Sequence, residues 1–353
     1  MKKSLFFAVA MLTGLGALAQ KVNSGELKQL RSFLMQTAAD GSRTNAEALK
    51  IVDFSNPSGW HGVTIVNGNV TEIHWNNKGL SGDFSARNFS ALKMVNLSGN
   101  ALTSANFNSS KALEEVNAQR NKLSTFSVDG CRQLQRINLA HNRLSEIDID
   151  STPLLQSLNL SNNNFEELSV ANATNLRTLN CQGCKLIALD VSGCTSLKNL
   201  YAGYNRLSSL TLTGATNLVN INLDSNHLTE LVISNMPSLS NLFCMDNKLQ
   251  TLIVRECPVL LDLVCSYNDL TSLQVVSCPQ LQYVDCSYND LTELYLDSFY
   301  FLQRVICSNN QLQTLSLTFD SSLRYVNCRY NMLTDIRTIG SSEDLQIASQ
   351  WNF

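Results

Sequence analysis

Cysteine and histidine are the side chains here best suited to chemistry, with 11 and 4 copies in 353 residues. Thiolates attack, exchange disulfides and hold soft metals, while imidazoles move protons near neutral pH. Cys181-Gln182-Gly183-Cys184 has the CxxC spacing of redox and zinc sites. A zinc site needs a second ligand pair, and a dithiol redox site sits where a strand gives way to a helix. Neither context surrounds Cys181. His61, His74, His141 and His227 stand apart, without the HExxH spacing that sets two imidazoles on one helix face. There is no GxSxG nucleophile turn and no GxxxxGK[ST] phosphate loop. Acidic neighbours such as Glu166 and Glu167 read as solvated surface. The inventory points away from an enzyme and implies neither cofactor nor metal.

What positions these side chains is a repeat. Asparagine recurs every twenty-one residues at Asn100, Asn121, Asn142, Asn163, Asn205, Asn226, Asn247, Asn268, Asn289, Asn310 and Asn331, with Cys184 filling the remaining place. A single globular core gives no reason for that beat, whereas stacked identical units do. One unit fixes Leu281, Val284, Cys286, Asn289 and Leu291, and another fixes Leu134, Ile137, Leu139, Asn142 and Leu144 at the same offsets. This LxxLxLxxNxL pattern resembles that of secreted bacterial leucine-rich repeat proteins. The resemblance implies a leucine-rich repeat solenoid with a parallel β-sheet on its concave face.

The residues add detail to that expectation. Leu–x–Leu alternation predicts a short strand with those side chains inward. A second alternating pair follows the asparagine, as in Leu189 with Val191 and Leu252 with Val254. Its β-branched character predicts short extended segments on the convex face. Pro153, Pro237, Pro258 and Pro279 share one offset and predict turns there rather than helices. An inward asparagine both donates and accepts, so the row is assigned to satisfying backbone groups trapped inside the turn.

The same phase accounts for the cysteines. Cys181, Cys244, Cys265, Cys286, Cys307 and Cys328 precede the asparagine position by three residues. Cys131, Cys194, Cys257 and Cys278 follow it by ten. Every cysteine therefore occupies an inward place. Side chains pointing in parallel are poorly set for a disulfide torsion near 90°, so free buried thiols are expected.

The ends depart from the beat. Residues 1–19 run from Lys2 and Lys3 through an apolar stretch to Ala17-Leu18-Ala19, the layout of a cleaved export signal. Exported, periplasmic or cell-surface localisation follows, with no membrane span, since no other segment approaches ~20 apolar residues. Residues 20–69 read as a small α/β N-terminal cap, with a helix capped by Ser24, a second over Asn45 to Ile51, and an Asn67-Gly68 hairpin turn. Trp60-His61-Gly62-Val63 resembles the WxGV element of plant-type leucine-rich repeat caps, without their paired cysteines. Residues 70–338 form the solenoid and 339–353 a C-terminal cap in which Ile339, Leu345, Ile347 and Trp351 fold over the last strand. Losing Lys2 and Lys3 takes the formal charge from −3 to −5. Lysine and arginine are scattered, which argues against nucleic acid as a partner.

Phase also identifies the surface. Residues six, four and two before the asparagine face outward on the concave sheet. Four before it, Asn96, Asn117, Asn138, Asn159 and Asn180 make an amide stripe. Later in that row come Tyr201, Phe243, Val264, Asp285 and Ile306, and adjoining rows add Met245, Tyr283 and Tyr325. Aromatic and apolar side chains gathered on adjacent strands mark an interaction patch. These eight are the candidate ligand-binding residues. A protein or peptide partner fits a face this long, and a glycan stacked on tyrosine is the second class.

Overall fold

The computed structural model describes residues 22–352 apart from 56, 298, 318–320, 339 and 341–342. The expected export signal at residues 1–19 lies outside them, as does Ile339.

Each turn of the chain lays down one three-residue strand. From Met94–Asn96 to Tyr325–Asn327 the strands join in parallel, Leu179 pairing with Leu158 and Leu200 in the same register. With the N-terminal hairpin at one end and Gln346–Ala348 at the other, the sheet holds 15 strands among the described residues. From Met94–Asn96 to Tyr325–Asn327 the central residue of each strand is buried and its two neighbours are partly or fully exposed. Leucine, isoleucine and valine fill the interior, because inward positions meet identical inward positions above and below.

The asparagine row closes the turn as its chemistry requires. Asn226 Nδ2 donates to the Ala202, Leu223 and Asp224 carbonyls at 3.0, 2.9 and 3.3 Å, and its Oδ1 accepts from the Leu207 amide at 2.9 Å. The pattern recurs from Asn121 to Asn331 wherever the asparagine is present. At Cys184 the thiol still donates to Leu160 O, at 3.1 Å, and reproduces only the donor half.

The convex side carries short extended segments gathered into separate sheets: Ser81–Ser85 with Ala101–Asn106 and Thr125–Ser127, then Glu167–Ser169 through Ser209–Thr211, then Glu230–Ser234 through Ser272–Val276, then Thr314–Ser316 with Asp335–Arg337. Residues 146–148 form no strand, so the first two sheets do not join. The offset nine residues after the asparagine is left-handed at Gly130, Gly193, Gly214, Asn235 and Glu256. Glycine is the residue that turn favours, and this turn redirects each unit toward the next strand.

The N-terminal cap opens with α1 (Ser24–Leu34) and α2 (Asn45–Ala48), followed by β1 (Val63–Val66) and β2 (Asn69–His74). Asn23, not Ser24, caps α1: its Oδ1 accepts from the Gly25 and Glu26 amides. The second helix is shorter than its apolar pattern suggested, and Thr44 with Glu47 closes it as a capping box. Asn67 and Gly68, both left-handed, form the hairpin turn between β1 and β2. Phe33 stacks on Trp75 at 5.9 Å and meets Phe84 edge-on at 5.1 Å, binding α1 to the first repeats. At the far end Gln346–Ala348 pairs in parallel with Tyr325–Asn327, and Asn352 Oδ1 accepts from the Asn331 amide. The tail thus covers that strand edge by extending the ladder.

Candidate functional site

All 11 cysteines are free and buried. Burial pushes the Cys131, Cys184 and Cys328 thiols up to about 11, which keeps them protonated and poor nucleophiles. The slot ten residues after the asparagine is a small-donor position. Ser110 Oγ there reaches Ala86 O at 2.7 Å, and the Cys131 and Cys194 thiols make the equivalent contact at 3.1 Å. Cys181 and Cys184 belong to the core. Among the described residues, no group of three or more His, Cys, Asp or Glu side chains is gathered as a metal would need. The convex cleft beside the strand break, about 580 Å³, has Asp150 as its one ionisable lining residue. One carboxylate without a partner supplies no acid–base pair.

The concave face is different, and its asparagines prove to be structural. In the row four residues before the inward asparagine, Asn96 Oδ1 accepts from the Ser98 amide at 3.1 Å. Asn117, Asn138, Asn159, Asn180, Asn222 and Asn327 each do the same for the amide two residues on. Each side chain thereby caps the backbone as the strand ends, an Asx turn repeated up the stack. A second amide ladder runs alongside: Asn220 Nδ2 donates to Asn199 Oδ1 at 2.7 Å and Asn241 Nδ2 to Asn220 Oδ1 at 2.6 Å.

Against that background Tyr201, Phe243, Val264 and Ile306 stand out, because an apolar or phenolic side chain cannot make the Asx bond. Phe243, Val264, Asp285 and Ile306 lie on consecutive strands in direct register, all half-buried. The loss at Phe243 is compensated from next door: the Met245 amide donates to Asp224 Oδ1 at 2.8 Å. Asp285 keeps the structural role, accepting from the Ser287 amide at 3.0 Å and its hydroxyl at 2.6 Å.

Tyr283 and Tyr325 flank Arg304, whose guanidinium lies 5.8 and 5.2 Å from their ring centres. The three side chains make a cation–π sandwich across adjacent strands. Sequence reasoning passed over Arg304 and Asp224. Writing out the row six residues before the asparagine, which reads Asp262, Tyr283, Arg304, Tyr325, would have exposed the first. Tyr201 sits two strands from Phe243, with Asn222 between them, so the eight candidates form one field with Tyr201 at its margin.

A leucine-rich repeat family pattern matches residues 154–172. No curated protein sequence matches the chain. Among solved structures, the functional domain of InlJ from Listeria monocytogenes, described as including a cysteine ladder, is 25% identical with a TM-score of 0.51. That similarity covers 75% of this chain and 54% of InlJ, so the chain spans about half the length of that structure. YopM, a leucine-rich effector protein of Yersinia pestis, is 22% identical with a TM-score of 0.56, over 79% of this chain and 88% of its own. A chain of the Drosophila Toll–Spatzle complex is 16% identical with a TM-score of 0.51, over 70% of this chain and 45% of its own. With their shared architecture and its own in-register ladder, the chain is a leucine-rich repeat solenoid.

Proposed function

We propose that this solenoid is an exported, non-catalytic binding module that recognises a protein or peptide through its concave face. The observation carrying this reading is the replacement of a backbone-capping asparagine by Tyr201, Phe243, Val264 and Ile306 within one row. At those places the repeat forgoes a hydrogen bond that its earlier units make, and exposes contact surface instead. Half-buried aromatic and branched side chains on neighbouring strands, with Asn222 and Asp285 between them, form the kind of desolvated centre on which protein partners anchor. Met245, Tyr283, Asp285 and Tyr325 border it.

The asparagines argue against a glycan. Their oxygens accept from their own backbone or from one another, which leaves Nδ2 donors but few acceptors for the hydroxyl protons of a sugar. A purely structural role would not require the capping row to be broken.

The test is selection of displayed random peptides on the full chain, with each selected peptide re-measured against a Phe243→Ser, Tyr283→Ala double variant. Peptides whose affinity falls about tenfold or more in the variant, at unchanged melting temperature, support the concave face. Selection that yields only variant-insensitive peptides, or an oligosaccharide array that outperforms it, overturns the reading.

A further inference from the structure

The residue just before each inward asparagine is left-handed throughout the stack. Three of the first five units meet that geometry with residues suited to it, Gly99, Asn162 and Gly183, and the other two place Arg120 and His141 there. Late units place Tyr204, Tyr267, Tyr288, Tyr330 and then Trp351 there, with φ between 54° and 67°. Bulky aromatic side chains are rare in this conformation. These five are 46–66% exposed, along the edge of the concave sheet. Tyr267 and Tyr288 stack face to face, 4.3 Å apart and 9° from parallel. The strained turn is thus used to hold phenol rings out in solvent.

Charge gathers at the same place. Residues 221–300 hold ten Asp and Glu against two Lys and Arg, a formal −8, while the whole chain carries −3. Asp269 and Asp290 are exposed on the turns that carry Tyr267 and Tyr288, Asp246 is exposed in the equivalent left-handed place one turn earlier, and none of the three joins an ion pair among the described residues. Asp262 and Asp285 extend the negative field onto the concave strands. Acidic groups beside tyrosine faces attract guanidinium and ammonium ions by charge and ring quadrupole together. Arg304, held between Tyr283 and Tyr325, displays that chemistry within the molecule.

We propose that the face spanning residues 222–290 binds an extended, arginine- and lysine-rich segment of a protein partner. Its guanidinium groups stack on Tyr267 and Tyr288 and pair with Asp246, Asp269 and Asp290. This deepens, and rests on, the reading of the concave face as a protein-binding surface.

Fluorescence anisotropy of the full chain with a labelled alternating Arg-Ser peptide tests it, with Lys-Ser and Glu-Ser peptides and cellohexaose as comparators. The Arg-Ser peptide should bind best and the Glu-Ser peptide not at all. Raising NaCl from about 0.05 to about 0.5 M should weaken binding about tenfold or more. Tyr267→Asn with Tyr288→Asn suits the left-handed turn, so the fold is kept, and should weaken binding about tenfold. Asp246→Asn with Asp269→Asn and Asp290→Asn should flatten the salt dependence. Equal binding of Arg-Ser and Glu-Ser peptides, indifference to both variants, or cellohexaose binding abolished by the tyrosine variant overturns the proposal. If these results fail while selected peptides still depend on Phe243 and Tyr283, the basic partner alone is wrong. If that dependence is absent as well, the concave reading falls with it.

Discussion

The two Nδ2 hydrogens of Asn226 are shared among three carbonyls and its Oδ1 accepts from one amide, all backbone groups of two successive turns. Alanine there leaves the Leu207 amide buried without its acceptor, while the three carbonyls keep Asn205, Asn247 and the Tyr204 amide as donors, so Asn226→Ala should cost about 1–3 kcal/mol in equilibrium denaturation. A loss under 1 kcal/mol would show that water fills the gap. Cys184 offers the reciprocal case. Its thiol donates to Leu160 O but provides no strong acceptor, so Cys184→Asn should stabilise by about 1 kcal/mol. Destabilisation in the same assay would mean that the slot is too tight for the larger side chain. The inward row and the buried thiols were legible in the sequence, because a fixed period and a fixed direction are one signal. The Asx role of Asn96 and its counterparts was not: outward phase says where a side chain emerges, and a bond to the residue's own backbone depends on the turn that follows.

Glu26 shows how an element is fastened. It lies on α1, buried against the first strands, and its Oε2 accepts from the Val70 amide at 2.8 Å. Burial pushes this carboxyl up, outweighing the pull of the Val70 and Ser90 amides in the other direction. A raised carboxyl binds its proton more tightly in the folded state. Its contribution is therefore fully present below the unfolded value of 4.5 and lost as pH rises through the folded one. Glu26→Gln imitates the protonated form, so its melting temperature should exceed the parent's at pH 7 and converge with it below about pH 4. A constant offset across pH would locate the effect in packing instead. The helices of the cap were legible from apolar spacing, and the hairpin from Asn67-Gly68. Their limits were not, because Asn23 and Thr44 terminate helices through side-chain geometry that a hydrophobic pattern does not carry.

At the scale of the whole molecule, the two faces of the solenoid differ in continuity. Among the described residues the concave strands run unbroken for 15 strands, whereas the convex segments fall into four sheets. The period displays both faces equally, so this asymmetry was invisible in the sequence. It arises where individual turns, such as residues 146–151, forgo the extended geometry of their neighbours. Repeat stacks are held by nearest-neighbour interfaces, so the unit with the weakest coupling opens first. Around Asp148 the convex ladder is missing, and the loop keeps two local bonds, Thr152 N to Ile149 O at 2.9 Å and Asp150 N to Asp148 Oδ1 at 2.9 Å, one bond to the preceding turn from Gly130 N to Ser151 Oγ at 2.9 Å, and the packing of Ile147 and Ile149. Ser145, Glu146, Asp148 and Asp150 are exposed. Limited proteolysis with a protease specific for acidic residues should therefore cut first after Glu146, Asp148 or Asp150, read by intact-mass analysis of early fragments. Replacing residues 145–151 by the matching residues 187–193, which adopt the strand and turn and put Asp190 in place of Asp148, should slow the cut after that retained aspartate about tenfold by restoring the convex pairing. First cleavage inside residues 230–276, where that sheet is continuous, would show that local coupling does not govern how this solenoid opens.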